Sequence, residues 1–95
     1  MGKAIAGAVG VSVTMLGIGV VLGFITMVAL NGFGERTGAR IMLVIAAGFF
    51  AVHYAVVSSV ARGLLPEAEK PRARTIGIVL TAVPAMPVLG TLLLF

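Results

Sequence analysis

The chain has 95 residues, 60% of them hydrophobic and 11% charged, and its mean hydropathy is +1.20. That excludes an ordinary soluble globular domain, and the length allows one domain over residues 1–95. The formal net charge of +4 comes from basic residues confined to the ends of hydrophobic runs, where topology accounts for them without nucleic acid. With no cysteine, disulfides, thiolate nucleophiles and Cys-based metal sites are ruled out.

Three apolar runs predict an all-α membrane protein with spans at about residues 4–30, 40–63 and 74–95, joined by two short polar loops. Continuous apolar runs lack the alternation of barrel strands, and a helix satisfies its own backbone in lipid. The first run holds 27 uncharged residues, longer than a signal-peptide core, and is expected to be retained as a tilted span. Gly19 and Gly23 form a G-x-x-x-G pair, which permits close backbone contact between membrane helices. Ser12, Thr14 and Thr26 are expected to bond carbonyls of their own helix.

Residues 31–40, NGFGERTGAR, read as a surface loop. Their glycines lack the preceding strand and the Lys-Ser/Thr ending of a phosphate-cradling loop. In the middle span, Ala47, Ala51, Ala55, Ser59 and Gly63 recur at every fourth residue and predict a helix-packing face. The same span holds the single His and the single Tyr, His53 and Tyr54, a candidate intramembrane polar site. A lone His at membrane depth relays a proton or ligates haem or metal, or else bonds a carbonyl or hydroxyl of a neighbouring helix, and the last is the preferred reading. No second metal ligand stands near it in sequence, so no metal site and no cofactor is expected.

The second loop, residues 62–74, carries Arg62, Lys70, Arg72 and Arg74 against Glu67 and Glu69. With Lys3 these make five basic residues on one membrane face, against Arg36 and Arg40 on the other. The positive-inside bias then puts the N-terminus and second loop in the cytoplasm and the first loop and C-terminus outside. Pro84 and Pro87 in the last span predict a kink. All three acids lie outside the spans, which argues against carboxylate-based proton coupling, and Ser58 and Ser59 lie near His53 without an orienting acid. The chain is therefore read as a non-enzymatic part of an assembly.

The hairpin of the second and third spans, AAGFFAVHYAVVSSVARGLLPEAEKPRARTIGIVLTAVPAMPVLG, resembles in layout the small pilins of conjugative and related DNA-transfer (type IV secretion-like) systems. Those have two small-residue-rich helices and a short basic turn. The resemblance covers roughly half the chain and carries no diagnostic motif. It implies a homo-oligomeric filament reached from the membrane, with Arg62, Lys70, Arg72 and Arg74 facing a lumen, lipid bound between subunits, and DNA passing without specific binding. The uncleaved first span departs from many such pilins. The alternatives are a small accessory subunit of a larger respiratory or transport complex and, third, a phage holin; holins end in a charged tail where this sequence has LLLF.

Overall fold

The computed structural model describes residues 2–94 as three α-helices: α1 (Gly2–Ala29), α2 (Glu35–Leu64) and α3 (Arg72–Leu93). The all-α, three-span architecture expected from the sequence is what forms, and each helix is long and apolar enough to cross a membrane. This is a membrane protein of the three-span helical class. Phe95, at the end of the third expected span, lies outside the described residues. The molecule measures 51 × 20 × 15 Å, so its long axis exceeds the roughly 30 Å hydrocarbon layer and its ends reach the headgroup region.

The helix boundaries correct both expected loops. The first connection is only residues 30–34, and α2 begins at Glu35, which places Glu35, Arg36 and Arg40 on a helix. A single 3₁₀ turn, Asn31–Phe33, leads into Gly34, whose φ of +84° breaks the chain direction at a conformation that side chains resist. Downstream of that break nothing opposes helix, and the charged first turns of α2 precede its apolar run. The second connection is residues 65–71, so Arg62 lies in the last turn of α2 and Arg72 and Arg74 in the first turn of α3. Pro66 sets that boundary. It holds Leu65 extended, at φ −87° and ψ 145°, while the Leu65 N–H still donates to the Ala61 carbonyl at 3.0 Å.

The α2 stripe of Ala47, Ala51, Ala55, Ser59 and Gly63 is exposed throughout, so the three helices do not meet on it. They meet on the other side of α2, along Phe50, His53, Val57 and Ala61. Onto that bulkier ridge fit two small-residue ladders with a four-residue repeat: Ala4, Ala8 and Ser12 on α1, and Ala73, Gly77, Thr81 and Ala85 on α3. Bulky against small lets the axes approach, which is how helices associate where lipid is as apolar as the side chains. The tightest core, Ala4, Ala8, Val57, Ala61, Leu65 and Ala73, lies in the half of the molecule nearest the second connection. Pro84 and Pro87 do not interrupt α3, which is assigned as one helix through both.

Candidate functional site

Where the three helices meet at mid-depth, His53 is fully buried and its two ring nitrogens bond hydroxyls from both neighbours. Nε2 lies 2.8 Å from Ser12 Oγ on α1, and Nδ1 lies 2.8 Å from Thr81 Oγ1 on α3. A neutral imidazole has one N–H and one bare nitrogen, so in either tautomer one hydroxyl accepts from the ring and the other donates to it. The edge of Phe50 and the tilted ring of Phe49, each 6.4 Å from the imidazole centroid, shield this node on the side of the first connection. No buried side-chain nitrogen or oxygen among the described residues is left without a partner.

The node meets the expectation that His53 bonds a neighbouring helix and corrects the expectation for Ser12. Thr14 and Thr26 do donate to their own helix, to the Gly10 carbonyl at 2.9 Å and the Leu22 carbonyl at 2.7 Å, whereas Ser12 turns away to His53. The reason is position on the helix: Ser12 continues the buried Ala4–Ala8 ladder, while Thr14 is exposed. Thr81 was not picked out from the sequence. Depth would have found it, because Ser12 lies nine residues from Lys3, His53 nine from Arg62, and Thr81 seven from Arg74, all measured from the same charged end. Tyr54 takes no part in the node; its ring lies against Gly77, where an added Cβ would sit 3.1 Å from Tyr54 Cε2.

Chemically, Ser12 and His53 stand at the separation of a nucleophile and its base. They are nevertheless sealed, at 3% and 0% exposure, and neither lines the two cavities described below. Both imidazole nitrogens are occupied, so a metal or haem iron could bind His53 only by displacing Ser12 or Thr81. Among the described residues there is no group of three or more His, Cys, Asp or Glu placed to hold a metal ion. Ser58 donates to the Ala55 carbonyl at 3.2 Å and Ser59 belongs to the exposed stripe, so neither joins the node.

The four basic residues of the second connection divide by role. Lys70 folds back, its Nζ donating to the Arg62 carbonyl at 2.9 Å and to the Leu65 carbonyl at 3.5 Å, where it serves the exposed carbonyls at the end of α2. Arg72 pairs with Glu69 at 3.3 Å across an exposed i,i+3 spacing. Arg62 and Arg74 are exposed at the helix ends.

Toward the first connection, α1 and α3 separate and leave an apolar groove of about 840 Å³. Its walls include Gly19 and Gly23 on α1 and Pro84, Pro87 and Val88 on α3, with Phe49 on α2. Gly19 is covered by the Phe49 ring, whereas Gly23 has no atom of a neighbouring residue within 4 Å of where its Cβ would be. A smaller cavity of about 290 Å³ beside Asn31 and Glu35 shares Met27, Met42 and Leu92 with the groove. Compared with protein-family models, with curated proteins and with solved structures, the chain matches none.

Proposed function

We propose that this protein is a non-enzymatic structural subunit that assembles with copies of itself through the outward stripe of α2, and that the assembly is a pilus of the DNA-transfer type. The observation that carries the reading is the exposure of Ala47, Ala51, Ala55, Ser59 and Gly63 on a helix whose opposite face already holds the fold together. α2 thus has a second face suited to close helix contact, because its small side chains let another helix backbone approach. The inner face of α2 and the outer stripe differ, so repeated contact through the stripe need not compete with the fold.

In this reading the exposed Arg62, Arg72 and Arg74 form the charged end that faces the cytoplasm before assembly and the lumen after it. Lys70 serves the α2 terminus instead. Lipid fills the spaces between subunits, and DNA passes without specific recognition. Negative-stain electron microscopy of material sheared from cells, with mass spectrometry of what is recovered, tests the proposal. Uniform thin filaments of this single polypeptide are expected. Recovery only from solubilised membranes, at fixed ratio with larger chains, overturns it and identifies an accessory subunit of a larger complex.

A further inference from the structure

We infer that the part of α3 beyond Ala85 is a hinged strap that closes the apolar groove against α1 at Gly23. Four observations combine. Thr81 is pinned to α2 through His53, which is pinned to α1 through Ser12, so the helices are tied at one level. On the side of the second connection the small ladders are packed and buried around that tie. On the other side Ala85 is the last buried residue of α3; Pro84 and Pro87 line the groove, and Met86 and Leu93 are 73% and 69% exposed. Opposite it, no neighbouring residue lies within 4 Å of where a Cβ on Gly23 would stand, which leaves a gap on α1 between the larger groove-lining side chains Val20 and Met27.

The prolines supply the hinge. Each lacks the N–H that would bind the carbonyl four residues earlier, so the carbonyls of Leu80 and Val83, on either side of the pinned Thr81, lose their helix bonds. Thr91 donates to the Pro87 carbonyl at 2.7 Å, a back-bond of the kind that bends helices. The membrane makes the two positions close in free energy. Lipid chains fill the open groove about as favourably as α3 packs into it, so no hydrophobic penalty forces it shut. The strap follows from one subunit and stands whether or not the chain assembles with itself.

The test uses spin labels on cysteines introduced into the full chain, which has no cysteine of its own, reconstituted in lipid nanodiscs. One pair, Val20→Cys with Val88→Cys, spans the groove; the other, Ile5→Cys with Thr75→Cys, spans the packed half. Pulsed electron spin resonance should give a broad or two-peaked distance distribution for the first pair and a single narrow one for the second. Adding Pro84→Ala and Pro87→Ala should collapse the first distribution to one narrow peak and leave the second as it was. Equal widths for the two pairs in the proline-containing chain overturn the inference, as does a broad groove distance that survives loss of both prolines. The comparison between pairs does not depend on the proline variants folding.

Discussion

His53 joins three helices through two hydroxyls and no carboxylate, an arrangement that suits holding more than catalysis. Removing the ring leaves Ser12 and Thr81 facing a void where water does not readily enter. Interhelical hydrogen bonds in membranes contribute about 0.6 kcal/mol on average and up to about 2 kcal/mol each. His53→Ala, which removes two of them and the ring volume, should therefore cost about 2–3 kcal/mol in a detergent unfolding titration followed by circular dichroism. A double-mutant cycle between Ser12→Ala and His53→Ala should return a coupling of about 0.5–1.5 kcal/mol. A coupling near zero would mean that the 2.8 Å contact is incidental.

Among the elements, glycines have opposite roles according to what faces them. An added Cβ at Gly77 would stand 2.9 Å from Ser58 Cβ, an atom carried rigidly on the α2 backbone, so Gly77→Ala must push α3 away from α2. Overpacking of this kind typically costs about 1–3 kcal/mol, readable in the same titration. Gly48→Ala is the control: nothing lies within 4 Å of its Cβ position, and no loss is expected. Lys70→Met removes the donor to the Arg62 and Leu65 carbonyls while keeping an aliphatic stem of similar reach. It should fray the last turn of α2 by about 0.5–1 kcal/mol, seen as faster amide hydrogen exchange at residues 61–64 alone.

For the whole molecule, the outward stripe and the charge distribution each make a prediction. Ala51 and Ala55 are exposed, so Ala51→Leu or Ala55→Leu should leave the unfolding midpoint of the isolated chain unchanged while abolishing assembly. Assembly that tolerates both would remove the stripe from the interface. The basic residues sort to the two ends of the bundle: Lys3, Arg62, Lys70, Arg72 and Arg74 at one, Arg36 and Arg40 at the other. The positive-inside bias predicts that Thr37→Cys is labelled by a membrane-impermeant maleimide added to intact cells, whereas Ala68→Cys is labelled only after lysis. The reverse pattern would invert the topology.

Hydrophobicity and spacing in the sequence determined the number of helices, their membrane-crossing length and the separation of charge between the two ends, because lipid enforces these on any apolar run of about 20 residues. They also marked His53 as a residue needing a partner, since imidazole is costly in hydrocarbon without one. Only the tertiary structure decided which small-residue ladder faces inward. Three such ladders exist, one per helix, and a repeat of four residues reads the same whether its stripe meets another helix of the chain or the lipid. The ladders of α1 and α3 were taken inward because α2 offers them a bulky ridge at Phe50, His53 and Val57, and that choice turned the α2 ladder out. The partners of His53 followed from it, for Ser12 and Thr81 reach the ring only when those two ladders face it.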